Sequence, residues 1–197
     1  MDELKRSVDY SRKRLQAIRN CESKVSDILW KSTQKIIAAS KRYRGAGRLT
    51  NESALLSYAK NVTAEAEDSI NRYISAYSKA SCKILGIDSE NIESFLVSDI
   101  YGKTTSERNA VYLGNFAEDI VRMIKAGTLM GYSDQQLLSS IRTGYKDPYH
   151  TSVITKAKRK DINIDVPSYG KGYYKNAYQN IVRNASQVIA LAWGQAE

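Results

Sequence analysis

A chain of 197 residues with 30 Lys and Arg against 21 Asp and Glu carries a formal charge of +9. Its only prolines, Pro148 and Pro167, exclude Pro-rich linkers, collagen-like repeats and a loop-dominated sandwich. Leu, Ile, Val and Phe total 43 residues, so the core is lean, and its aromatic part is Tyr, with 14 Tyr against 2 Trp and 2 Phe.

Residues from Leu4 to about Arg44 read as one long helix. Ser11, Leu15, Ile18, Glu22, Val25, Leu29, Ser32, Ile36, Ala39 and Tyr43 follow alternating four- and three-residue steps. That is a heptad-like stripe interrupted by polar residues, suited to packing against a partner helix. Arg44-Gly-Ala-Gly-Arg48 then predicts a turn, because two glycines so close break a helix. A second helix restarts after Thr50-Asn-Glu-Ser53 and runs to Leu85, with the stripe Leu55, Tyr58, Val62, Ala66, Ile70, Tyr73, Tyr77, Ala80 and Ile84. Gly86 is its natural stop. Two such helices joined by a short turn predict an antiparallel hairpin, each arm about 45–60 Å long at 1.5 Å per residue.

Beyond Ser89 the elements shorten. Glu90 to Tyr101 reads as a brief helix ending at Gly102. Thr104-Thr-Ser-Glu107 is a capping box, in which the Thr hydroxyl and Glu carboxylate each satisfy an early backbone N–H. The helix it opens would bury Val111, Tyr112, Phe116, Ile120, Met123 and Ile124 and stop near Gly127 or Gly131. Ser133-Asp-Gln-Gln136 is a second box, opening a short helix through Leu137, Leu138 and Ile141 to Gly144. Residues 145–172 read as irregular, with a possible strand over Ile162 to Val166. A last helix, Tyr173 to Ala196, has the stripe Tyr174, Tyr178, Ile181, Ala185, Val188 and Ala192, and its uncapped end suggests a processed end or a fragment of something longer. The expected fold is all-α: a long basic helical hairpin over 1–87 and a smaller helical domain over 88–197.

Chemistry is sparse. Cys21 and Cys82 are far apart and read as small buried thiols of a reducing compartment. His150 is the only histidine, which removes His-dependent triads and multi-His metal sites from this chain. Glu65, Glu67 and Asp68, and Glu118 and Asp119, are close in sequence but read as solvated faces. Gly170-Lys-Gly172 lacks the spacing of a phosphate-binding loop. No catalytic residue, metal site or cofactor is expected. There is no apolar leader, and the apolar run Val188 to Trp193 is far short of the ~20 residues of a spanning helix, so no membrane contact is expected.

The charge is unevenly placed. Residues 1–60 hold 14 basic and 6 acidic side chains, residues 61–100 hold 3 and 7, and residues 101–197 hold 13 and 8. Three clusters concentrate it: Arg12, Lys13 and Arg14; Lys41, Arg42, Arg44 and Arg48; and Lys156, Lys158, Arg159 and Lys160. Tyr43, Tyr169, Tyr173 and Tyr174 lie nearby, and basic side chains with interleaved aromatics suit phosphate backbones and exposed bases. Those residues form the candidate nucleic-acid surface. An acidic middle between basic ends also permits contact between copies of the chain.

The order Phe116-Ala-Glu-Asp-Ile120, Ile124-Lys-Ala-Gly127, Gly131-Tyr-Ser-Asp-Gln-Gln-Leu-Leu138-Ser-Ser-Ile141 and Ala177-Tyr-Gln-Asn-Ile-Val-Arg183-Asn-Ala-Ser-Gln187 resembles the minor head, or head-morphogenesis, proteins of tailed bacteriophages. The resemblance covers roughly residues 105–197. That family carries an Arg-Thr-Glu signature on its terminal helix; here Arg183 fits the Arg, while Asn184 and Ala185 stand in place of Thr and Glu. The resemblance implies a virion protein of the head or portal region, present in the host cytoplasm during assembly. Its implied partners are the portal or other capsid proteins, further copies of itself, and packaged DNA. A cytoplasmic nucleic-acid-binding or host-interaction protein is the alternative the same basic surface allows.

Overall fold

The computed structural model describes residues 2–86, 88, 90–97, 102–146, 152–164 and 177–194. Among them the fold is all-α: α1 (Asp2–Ser40), a 3-10 turn (Lys41–Tyr43), a two-stranded ribbon of β1 (Arg44–Gly45) and β2 (Arg48–Leu49), then α2 (Glu52–Leu85), α3 (Glu90–Val97), α4 (Thr105–Leu129), α5 (Asp134–Lys146), α6 (Val153–Lys158) and α7 (Ala177–Gly194). His150, the Gly170–Gly172 turn, Asp165 and Val166 of the expected strand, Tyr169, and Tyr173 and Tyr174 of the expected last helix lie outside the described residues.

The local signals of the sequence hold. Asn51 caps α2, its side chain accepting from the Ala54 N–H at 3.0 Å. Thr104 and Glu107 close their box at 2.7 and 3.2 Å, and Ser133 and Gln136 close theirs at 2.9 and 3.3 Å. Gly86 and Gly131 end α2 and α4 with φ of 68° and 73°, a left-handed conformation that glycine adopts without steric cost.

Spatial contacts assemble two compact units from segments remote in sequence, and they are not the two halves 1–87 and 88–197. The first unit gathers Met1–Ile28, Asp68–Asn109 and Ile181–Glu197; the second gathers Leu29–Glu67 and Ala110–Asn180. Both units therefore contain part of α1 and part of α2.

In the first unit the core is Ala17, Cys21, Val25, Ile70, Ile74, Cys82, Ile92, Ala185, Val188, Ile189, Ala192 and Trp193. Tyr10 packs on Trp193 with ring centroids 5.5 Å apart and donates its hydroxyl to the Trp193 carbonyl. A chain of side-chain hydrogen bonds runs beside this core, with Asn109 and Asn184 buried within it. Arg108 Nε donates to Asn184 Oδ1 (3.1 Å), Asn184 Nδ2 to Asn109 Oδ1 (2.7 Å), Asn109 Nδ2 to Asn71 Oδ1 (2.8 Å), and Asn71 Nδ2 to Ser106 Oγ (3.0 Å).

In the second unit β1 pairs antiparallel with β2, Arg44 opposite Leu49 and Gly45 opposite Arg48. The connecting Ala46 and Gly47 have φ of 49° and 72°, the two left-handed residues of a type I′ turn. α1 and α2 thus leave the ribbon antiparallel, and Lys35 meets Glu65 across them at 3.3 Å. The core is Leu29, Ile36, Ile37, Leu55, Phe116, Ile120, Ile124, Leu137 and Ile141. Buried Tyr145 stacks on Tyr178 at 4.3 Å and shares a 2.9 Å hydrogen bond with Thr33.

The structure corrects several expectations from the sequence. The stripe of α1 is out of phase at its start: Ser11 and Leu15 are exposed (Leu15 by 55%), and Ala17 and Cys21 are buried instead. The stripe of α2 is out of phase at its end, where Ile84 is 74% exposed and Ile74, Ser78, Ser81 and Cys82 face inward. Residues 153–158, expected to be irregular, form α6, capped by the Ser152 hydroxyl accepting from the Thr155 N–H at 3.1 Å. Residues 162–164 carry no strand.

Candidate nucleic-acid interface

The basic clusters fare unequally. In the first unit Arg12 and Lys13 are exposed, whereas Arg14 is half-buried. Arg14 lies beside the end of α7: a Cβ built on Gly194 would stand 3.7 Å from its Nη2. A cation suits that place, since a helix C-terminus carries partial negative charge.

In the second unit Asp134, in the first turn of α5, gathers two of the expected DNA contacts inward. Arg44 Nη2 is bonded to its Oδ1, and Lys41 Nζ lies 2.9 Å from its Oδ2. The Arg44 side chain is only 14% exposed. Arg44 is therefore tied internally, and Lys41 is half committed to the same carboxylate. Burial alone would raise the Asp134 pKa, but hydrogen bonds from Arg44 and then Lys41, with their charges, hold it below its ordinary value of 3.8. Arg42 and Arg48 are exposed and form no ion pair among the described residues.

The third cluster sits on α6 and the turn that ends it. Asp161, at φ 56°, takes the left-handed position, and the N–H groups of Asp161 and Ile162 return to the Lys158 and Ala157 carbonyls at 3.1 Å each. That is a Schellman end. Lys158, Arg159 and Lys160 are exposed around the last carbonyls, while Lys156 is half-buried. Placement at a helix C-terminus stabilises these cations structurally, and their exposure leaves them able to meet an anion.

An arrangement invisible in the sequence lies on α5. Leu138, Ser139, Arg142, Thr143 and Lys146 share one face of that helix and, with Trp30 of α1, line an open groove of about 530 Å3. The Arg142 guanidinium stands 5.3 Å from the centre of the Trp30 ring. Among the described residues no acidic side chain lines the groove. Trp30 and Arg142 are far apart in the chain, and no local motif joins them.

The remaining polar candidates are structural. Cys21 and Cys82 are buried, free thiols; burial, with a smaller contribution from Glu22, pushes Cys21 up to about 12. Glu118 and Asp119, expected on a solvated face, both bond Arg122, at 3.0 and 3.1 Å, and Asp119 also accepts from the first N–H of α7, Ala177, at 3.2 Å. Among the described residues no group of three or more His, Cys, Asp or Glu side chains is placed to hold a metal, and no helix is long and apolar enough to cross a membrane. Of the signature positions on α7, Arg183 is exposed, Asn184 lies in the buried amide chain, and Ala185 is fully buried. No protein-family profile, curated protein or solved structure matches the chain.

Proposed function

We propose that this chain is a structural protein of the head or portal region of a tailed bacteriophage and contacts packaged DNA. The observation that carries the DNA part is the set of exposed cations without an acidic partner among the described residues: Arg12 and Lys13 in one unit, and Arg42, Arg48, Lys158, Arg159 and Lys160 in the other. Cations left unpaired on a chain of charge +9 attract a polyanion. The head assignment is supported by the resemblance over residues 105–197, and by the helix–glycine–capped-helix order it rests on, here α4, Gly131 and α5.

Each half has its own test. Binding to duplex DNA is expected to weaken with salt by roughly 0.9 log units per log unit of salt for each phosphate contacted. The slope is expected to shrink in the Arg42→Ala/Arg48→Ala variant. A flat salt dependence would refute the DNA contact. Co-expression with the portal protein of the same phage is expected to yield a co-purifying complex, and a clean monomer that captures no head protein would refute the structural role.

A further inference from the structure

The groove between Trp30 and α5 is set apart from the outer cations by its chemistry. It offers an aromatic face, two cations and two hydroxyls within a volume of about 530 Å3, inside the range of small-ligand sites. Arg142 and Lys146 are one turn apart, about 6 Å along α5. Both are exposed, whereas Trp30 is only partly so. The Arg142 guanidinium lies over the Trp30 ring, so a planar partner reaches the indole by taking the place of that flat cation.

We infer that this groove is a binding site for single-stranded nucleic acid, in which a base stacks against Trp30 while Arg142 and Lys146 take the phosphates on either side of it. Charge favours an anionic occupant, since both charged residues among the described lining, Arg142 and Lys146, are basic. The indole decides between polyanions. A base has a π-face to lay on it, and stacking of this kind is worth ~1–3 kcal/mol per base, whereas an acidic side chain has none. Duplex DNA keeps its bases inside the stack and cannot use the ring, so the groove separates single from double strands in a way the outer cations do not. The inference rests on the reading of the chain as a nucleic-acid-contacting protein, and it fails separately from that reading.

The test uses the full chain with Trp193→Phe, so that Trp30 is the only indole. A thymidine oligonucleotide, a duplex of the same length and polyglutamate are titrated at low salt while Trp30 fluorescence is followed. The oligonucleotide is expected to quench Trp30, the duplex less so, and polyglutamate not at all. By anisotropy of a labelled oligonucleotide, Trp30→Ala should weaken binding about 5- to 150-fold. Arg142→Ala, on an exposed position that leaves the core untouched, should weaken it too and lower the salt slope by about 0.7, the share of a single phosphate. Salt-dependent DNA binding with an unchanged Trp30 signal overturns the groove and leaves the proposed function standing. Equal quenching by polyglutamate overturns the assignment in favour of an acidic peptide. No binding of either DNA removes the groove and the DNA reading together.

Discussion

Removing Asp134 tests the claim that Arg44 is an internal tie and not a DNA contact. Arg44 and Asp134 are 14% and 28% exposed, so their bond is a partly buried, charge-assisted one worth about 1.5–3 kcal/mol. Lys41, at 67% exposure, adds less than ~1 kcal/mol. A carboxylate in the first turn of α5 contributes about 0.3–1 kcal/mol against the helix dipole. Asp134→Ala is therefore expected to cost about 2–4 kcal/mol, because it also strands a guanidinium whose Nε already lacks a partner. Urea unfolding followed by Trp30 fluorescence in the Trp193→Phe background reads this directly. Arg44→Ala/Asp134→Ala should be no less stable than the weaker single variant by more than a few tenths of a kcal/mol, giving a coupling of about 1.5–3 kcal/mol. Because the folded-state pKa of Asp134 lies below its ordinary 3.8, its stabilisation is complete above that value and is lost as pH falls through the folded value. The gap between wild type and Asp134→Asn should close there. Additive single variants, or a gap unchanged in strong acid, would refute the tie. So would a smaller salt slope of DNA binding in Arg44→Ala.

Other substitutions probe the packing and α7. A Cβ on Gly127 would meet Leu137 Cδ2 at 2.3 Å inside the core. Gly127→Ala should cost about 1–3 kcal/mol in urea unfolding, with part of that stability recovered when Leu137 is shortened as well. Ala185→Glu places a charge at a fully buried site. It should cost about 3 kcal/mol or more at neutral pH and less in acid, as the carboxyl protonates. With a pKa near 12, the Cys21 thiol is about one part in ten thousand thiolate at pH 8. Neither Cys21 nor buried Cys82 should react with a disulfide reagent until the chain is denatured, and rapid native labelling would contradict their burial.

What could be read from the sequence was local. Capping boxes join residues three apart, and glycine stops act on one φ angle, so Thr104 with Glu107, Ser133 with Gln136, and Gly86 declare themselves without the rest of the fold. Stripe phase does not. The start of α1 and the end of α2 each offer more than one semi-apolar face, and the neighbours in the first unit select Cys21 and Cys82 over Leu15 and Ile84. α6 is illegible in the sequence because six residues show no period, and Ser152 is followed by Thr155 where a box would have Glu or Gln. The basic clusters were visible as composition. The fate of Arg44 depends on a carboxylate 90 positions away, and the Trp30–Arg142 pair is likewise a product of tertiary structure.

The amide chain of the first unit has a consequence for alignment. Ala185, Val188 and Ala192 would adhere almost as well if α7 slid by one turn, about 5.4 Å, because apolar contact has no direction. Asn184 would not. It takes a bond from Arg108 and gives one to Asn109, so a slip of α7 breaks both at once and strands buried groups at about 1–3 kcal/mol apiece. Apolar burial holds α7 in place, and one short amide side chain fixes the register in which it packs.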